Sequence, residues 1–511
     1  MAQPPIVLNG APLDLADVAA VARGSVTVEF GPQAVNRVEK AHAVVRRILE
    51  RGEQVYGVNT GFGHLKDIRI PPDRLGTLQL NLIRSHAAGT GDPLADDVVR
   101  AIMLLRAHVL ALGHSGVRPV VIETLLAHLN TGILPVIPEQ GSVGASGDLA
   151  PLAHLALALV GEGRVRFSGQ EMPAGRAIKE AGIAPLKLGP KEGLALINGT
   201  QMIAAIGSLA TIEAGTLMTI ADIAAAITVE ALCGSHKPFE ARLQALRPHP
   251  GQIATAANMR ALLVDSDIAR SHSTCGRVQD AYSMRCVPQV HGAARDVLRF
   301  TRSVLEIEIN AVTDNPIVFP EEGDLLSGGN FHGEAPAMAL DALTIAAAEI
   351  ASIAERRIER LMNPALSGLK PFLTPDPGIN SGLMMGQVTA AALVSENKIL
   401  AHPASVDSIS TEAGQEDHVS MGPIAARKAR KVVDHAMTVV AIEILSACQA
   451  LDLEKTPRPG RGVEAAHGLV RKEVPFMVTD RILADDIATV GALVRSGCLL
   501  EAVRAVCRDL Q

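Results

Sequence analysis

The sequence predicts an all-α protein built on long, mostly buried helices, and three observations carry that expectation. Aromatic residues are only 2% of the 511, with no Trp and just two tyrosines, Tyr56 and Tyr282. A core without large rings is filled by Ala, Leu, Val and Ile, which suits closely packed helices. Apolar residues recur at helical spacing through most of the chain. Two windows, 193–212 and 377–395, carry no charge at all. They are long enough to mimic membrane spans, yet the first holds Asn198, Thr200, Gln201 and Ser208, the second Asn380, Ser381, Gln387 and Thr389. Polar groups at that density are costly in lipid, so no membrane partner is expected. Both windows belong inside a bundle or an oligomer.

The elements follow in order. Val35, Val38, His42, Val45 and Leu49 mark one helix face that stops at Gly52. A second helix runs over 96–112, with Gly113 placed for a left-handed cap, and a third over 118–129. Long patterns follow at 200–233, 290–311, 336–363, 383–401 and 423–451, with two shorter helices after Asp480. Asp222, Glu230, Asp341 and Glu349 supply a charge only once every two or three turns. No βαβ alternation and no solenoid repeat appears. The stretches between helices are rich in Gly, Pro and Asn: 53–71, 130–150, 313–333, 365–382 and 455–462. They divide the chain into a smaller mixed N-terminal domain, 1–200, and a central long-helix bundle with C-terminal helices, 201–511.

Bulk charge excludes several functions. Lys+Arg 47 against Asp+Glu 54 leaves a net charge of −7, which argues against nucleic acid. The densest basic run, Arg427-Lys428-Ala429-Arg430-Lys431, has no aromatics between its charges and reads as a solvated helix face. Cys233, Cys275, Cys286, Cys448, Cys498 and Cys507 form no CxxC pair, which points to a reducing compartment, the cytoplasm. Residues 1–12 lack the basic start and apolar stretch of a signal peptide.

The most unusual local sequence is Gly141-Ser142-Val143-Gly144-Ala145-Ser146-Gly147-Asp148-Leu149-Ala150-Pro151-Leu152-Ala153-His154. A nucleophile elbow would need glycine where Asp148 stands, and a phosphate loop would need Lys-Ser/Thr after its glycines. One reading is a turn with Asp148 capping the helix through Leu155 and Leu159. Another is chemical. With minimal side chains at Ala145 and Gly147, the Gly147 nitrogen can fold onto the Ala145 carbonyl carbon. Loss of two waters, one from the Ser146 hydroxyl, would leave an electrophilic alkene on an imidazolone ring. Ordinary side chains offer no strong electrophile.

This segment resembles the signature of the aromatic amino-acid ammonia-lyases, whose Ala-Ser-Gly forms 4-methylidene-imidazol-5-one. Tyr56-Gly57-Val58-Asn59-Thr60-Gly61-Phe62-Gly63 resembles the family's active-site loop. Asn198-Gly199-Thr200, Gln279-Asp280-Ala281-Tyr282-Ser283-Met284-Arg285, Asp314-Asn315-Pro316, Gly329-Asn330-Phe331-His332 and Gln415-Glu416-Asp417-His418 match in family order. The resemblance implies a fumarase/aspartase-like bundle and a homotetramer whose sites combine several subunits. It implies a prosthetic group formed autocatalytically from Ala145, Ser146 and Gly147, with no metal and no diffusible cofactor. Tyr56 would be the base, its pKa near 10 useful only if neighbours help it ionise. Arg285 would clamp the substrate carboxylate. Tyr282, Asn198 and Gln279 would add hydrogen bonds, and Phe331 would cover the ring. The remaining histidines, including His154 and His291, form no metal-ligand spacing. Ala281 and Gly414 depart from the commoner family residues but supply no catalytic group.

Substrate choice rests on two positions. Phenylalanine-specific members resemble Phe-Leu at Ser85-His86, and tyrosine-specific ones His-Leu; Ser-His resembles members acting on histidine. Glu416 points the same way: a carboxylate pairs with an imidazole N–H but is a desolvation cost beside a phenyl ring. The expected reaction is elimination of ammonia from L-histidine to trans-urocanate, the first step of histidine degradation. The alternatives are a phenylalanine or tyrosine ammonia-lyase, an aminomutase, a fumarase-type lyase without the prosthetic group, or a non-catalytic helical scaffold.

Overall fold

Helix Pro32–Arg51 shows how closely local chemistry sets the boundaries: Pro opens its first turn and Gly52 closes it in the left-handed region at φ 68°. Its buried face is Ala34, Val38, Ala41, Val44, Val45 and Ile48. The computed structural model describes residues 4–272, 278–454 and 457–511, so Cys275 and the start of the 455–462 loop lie outside the described residues. Helices Asp96–Ala111, Pro119–Thr131, Gln201–Ala231, Val287–Glu308, Glu334–Met362, Met384–Leu400 and Gly422–Leu453 take the places the periodicity assigns. Gly113, at φ 83°, follows the Asp96–Ala111 helix, and a Cβ there would press on Arg37. Two helices after Asp480, Leu483–Arg495 and Cys498–Arg504, complete the set. Helices Leu15–Ala22, Pro250–Leu262 and Arg461–Glu473 are additions; the first starts on a capping box between Asp14 and Asp17.

The chain forms two compact units, each assembled from three stretches of sequence. One comprises 1–209, 302–341 and 403–427; the other 210–301, 342–402 and 428–511. Four of the five crossings fall inside long helices, which no composition shift marks.

The first unit is the mixed one. Its strands are short: Ile6–Leu8 pairs in parallel with Val28–Phe30, and Thr90–Pro93 pairs antiparallel with Pro138–Gln140. Leu134–Pro135, Arg164–Phe167 and Gln170–Pro173 make a three-stranded antiparallel sheet. The turn at Ser168-Gly169 has φ 50° and 75°, the doubly positive pattern of a tight hairpin. Helix Asp96–Ala111 is the centre of this unit, buried on nearly every side.

The second unit is held by helices and buried charge. Glu443 accepts from Arg357 Nε at 2.5 Å and Nη2 at 2.9 Å, and from Thr228 Oγ1 at 2.7 Å. Neither Arg357 nor Glu443 has exposed surface. His291 donates from Nδ1 to Asp222 at 2.7 Å, and its Nε2 faces Arg357 at 3.5 Å. Burial holds the His291 imidazole below its ordinary pKa, so it is neutral at pH 7.

The two uncharged windows part company. Residues 193–206 are entirely buried, and three helices long and apolar enough to span a membrane, Gln201–Ala231, Glu334–Met362 and Gly422–Leu453, are 78%, 67% and 83% buried over their most apolar stretch. Helix Met384–Leu400 instead buries only Gly386, Ala390 and Asn397, leaving Met385, Val388 and Ile399 exposed. The basic run differs from a fully solvated face: Arg427 pairs with Glu139 at 2.8 Å and Arg430, half-buried, lies 4.0 Å from Glu213.

Candidate active site

The first unit encloses a cavity of about 760 Å³. Its walls bring together Tyr56, His86, Ala145, Ser146, Asn198, Phe331 and Glu416, residues spread over most of the chain. Gly147 lies just behind, buried.

The 145–147 turn is fixed by its neighbours from 198–203. Gly147 has φ 73°, and a Cβ on it would overlap the Gly199 carbonyl. Asp148 N donates to Gly199 O at 2.7 Å and Gly199 N to Ser146 O at 3.3 Å. The Asn198 amide, oriented so that both its atoms are satisfied, donates to Ser146 O at 3.2 Å and accepts from Asn315 N at 2.8 Å. Ser146 Oγ donates to Glu416 Oε1 at 2.9 Å, while Glu416 Oε2 accepts from Thr411 Oγ1 at 2.7 Å.

Asp148 precedes helix Leu149–Leu159 without capping it through its side chain. The carboxylate instead accepts from Met202 N at 2.7 Å and Ile203 N at 3.0 Å, in the first turn of the Gln201–Ala231 helix. Its other oxygen is buried without a partner. Burial pushes its pKa up to about 7 against those two amides and the Arg106 guanidinium.

Tyr56 is half-buried, edge-on to Phe62, and its hydroxyl accepts from Gly63 N at 3.4 Å. On balance its surroundings oppose ionisation. Burial raises its pKa above 10, the Gly63 N–H offsets part of this, and Glu412 and Glu416 raise it further. Glu412 lies in no motif that would single it out; its carboxylate packs against Gly63. Residues 412 and 413 are non-glycines at φ 52° and 54°. In a Tyr282→Phe background Tyr56 is the only tyrosine, so its phenolate absorbance can be titrated alone. Glu412→Gln should lower that midpoint, and only modestly, because an exposed charge is partly screened. An unmoved titration would remove Glu412 from the electrostatics of the base.

His86 ends helix Leu75–His86, and its Nδ1 donates to Leu82 O at 2.8 Å. That fixes the tautomer and leaves Nε2 as an acceptor. Burial lowers its pKa, so the ring is neutral. Ser85 turns its hydroxyl onto Leu82 O and does not line the cavity.

Gln279, Tyr282 and Arg285 belong to the second unit and are not among the cavity's lining residues. Tyr282 is 71% exposed, with the Arg285 guanidinium 4.5 Å over its ring and Arg285 Nε donating to Asp280 O. Gln279 lines a separate cavity of about 190 Å³. The histidine reading is corrected at one place: the fold gathers ligand atoms of His332, Glu334 and His418 within 4.8 Å, a grouping that linear spacing conceals. His332 Nε2 already engages the His418 carbonyl at 3.2 Å. His154 accepts from Gly89 N at 3.1 Å and is structural.

The family model for aromatic amino acid lyases matches residues 13–472. The chain belongs to that family. It is 54% identical over 503 residues to a histidine ammonia-lyase of Anaeromyxobacter sp. (strain K), covering 97% of this chain and 99% of the relative. Among solved structures, a histidine ammonia-lyase from Trypanosoma cruzi aligns with TM-score 0.92 at 44% identity, covering 99% of this chain and 97% of that one. A tyrosine aminomutase from Streptomyces globisporus aligns with TM-score 0.92 at 40% identity, covering 98% of each chain. The architecture of this aromatic amino acid lyase is therefore the helical, fumarase-like one.

Proposed function

We propose that the chain is a histidine ammonia-lyase, eliminating ammonia from L-histidine to give trans-urocanate. The observation that carries the choice of substrate is Glu416, bonded to Ser146 inside the cavity that His86 and Tyr56 also line. Either a carboxylate or a neutral imidazole acceptor can take the N–H of an imidazole side chain, whereas a phenyl ring offers no donor to either.

The 145–147 turn fits conversion to methylidene-imidazolone: Gly147 is in a conformation and a space that exclude a side chain, and Ser146 points its hydroxyl into the cavity. Once formed, the group would supply the electrophile that side chains lack. The chain's own residues do the rest. Tyr56, as phenolate, takes the β-proton. Glu416 and His86 orient the substrate ring, and Phe331 walls the cavity. The start of helix Leu149–Leu159, directly after the turn, favours negative charge there.

The reading includes a cytoplasmic homotetramer in which a neighbouring copy brings Gln279, Tyr282 and Arg285 to the site, Arg285 clamping the carboxylate. The exposed Tyr282 and the uncovered apolar residues Met385, Val388 and Ile399 support this.

The test is ultraviolet detection of urocanate with histidine, phenylalanine and tyrosine offered separately. Urocanate forms from histidine; no product from it would sink the proposal, and a β-amino acid would make the chain an aminomutase. His86→Leu should cost about tenfold to a hundredfold in kcat/KM for histidine, roughly one good hydrogen bond. Untouched histidine turnover would refute the role of His86.

A further inference from the structure

Arg106 sits mid-helix in Asp96–Ala111, fully buried, where a charge is unexpected. One outer nitrogen, Nη1, donates to the carbonyls of Ala195 at 2.6 Å and Asn198 at 3.0 Å. These are end carbonyls of the short helix Glu192–Ile197, groups that helix bonding leaves free. Nη2 donates to Gln201 Oε1, and Gln201 Nε2 passes the chain on to Thr313 Oγ1 at 2.9 Å. The guanidinium lies so close to Gly199 that a Cβ there would overlap Nη2.

Arg106 therefore grips one side of the 198–201 connection, and Asp148 grips the other by capping the following helix. The same connection provides the surface against which 146–148 is folded, through Gly199 O, Gly199 N and the Asn198 amide. Cyclisation needs the Gly147 nitrogen driven onto the Ala145 carbonyl carbon, forming one C–N bond and releasing one water. A second water leaves from Ser146, with no net oxidation. A loosely held turn pays conformational entropy for that approach; a clamped one has it in place.

We propose that Arg106 is a positioning residue for cyclisation of Ala145-Ser146-Gly147, acting through the backbone of 195–201 and touching neither the reacting atoms nor the substrate. The proposal rests on reading 145–147 as a cyclising segment, and intact mass separates the two. A wild-type chain that keeps both waters refutes that reading, whatever Arg106 does.

With wild type lighter by two waters, Arg106→Lys keeps the charge but loses the fork that reaches three acceptors at once. The expected result is a soluble chain with wild-type helical circular dichroism in which most molecules retain both waters. A folded Arg106→Lys chain that has lost both waters as completely as wild type overturns the proposal. If Arg106→Lys does not give a folded chain, Gln201→Met decides, because it removes one acceptor and leaves the guanidinium in place. Its loss of water, followed by mass after cell-free synthesis, should lag wild type severalfold; an equal rate overturns the proposal.

Discussion

Tyr56→Phe should lower kcat/KM for histidine by about 10²–10⁴, the usual worth of a positioned base, while the folded chain and its cyclised turn persist. The substitution removes one oxygen, whose hydrogen bond to Gly63 N is long at 3.4 Å, so little stability goes with it. The pH dependence has a definite sign. Burial and the two carboxylates raise the Tyr56 pKa above 10, so the phenolate, and with it turnover, grows as pH rises through the alkaline range. Steady-state rates across that range, set beside the mass and circular dichroism of the variant, check the assignment. Full activity in Tyr56→Phe would mean another group takes the proton.

Glu443→Ala is the corresponding result for stability. It leaves the Arg357 guanidinium fully buried with its carboxylate gone and frees the Thr228 hydroxyl as well. Removing one member of such a pair costs about 3–5 kcal/mol, most of it the penalty of an uncompensated charge. The double variant Arg357→Met, Glu443→Leu should recover most of that loss, since it abolishes the charge rather than stranding it. Chemical denaturation at fixed protein concentration reads both. A single variant within about 1 kcal/mol of wild type would show that water reaches Arg357.

Both results depend on contacts that a linear reading meets differently. The long helices were legible because apolar spacing, Gly52, Gly113 and the sparse charges are local properties of the chain. The three-stretch make-up of each unit was not, because four of the five crossings fall within unbroken helices. Among site residues, Tyr56, Ser146, His86, Asn198, Phe331 and Glu416 share one cavity. Glu412 and Arg106 escaped notice, being an ordinary loop acid and an ordinary helix cation until the fold places one against Gly63 and the other behind Gly199.

The two tyrosines show the division most plainly. Their rarity, and the motifs around them, are facts of the sequence, while only the fold shows that no side chain fits at Gly147 and Gly199. Tertiary structure alone decided that Tyr56 lies in the cavity beside two carboxylates while Tyr282 stands exposed. It also turned Asp148 from the helix it precedes to the helix at Gln201, and joined Glu416 to Ser146 across 270 positions. Dihedral preference and periodicity act between near neighbours and can be read in order. Burial, charge coupling and long-range hydrogen bonds exist only once distant segments have been brought together, and they set which groups carry a proton.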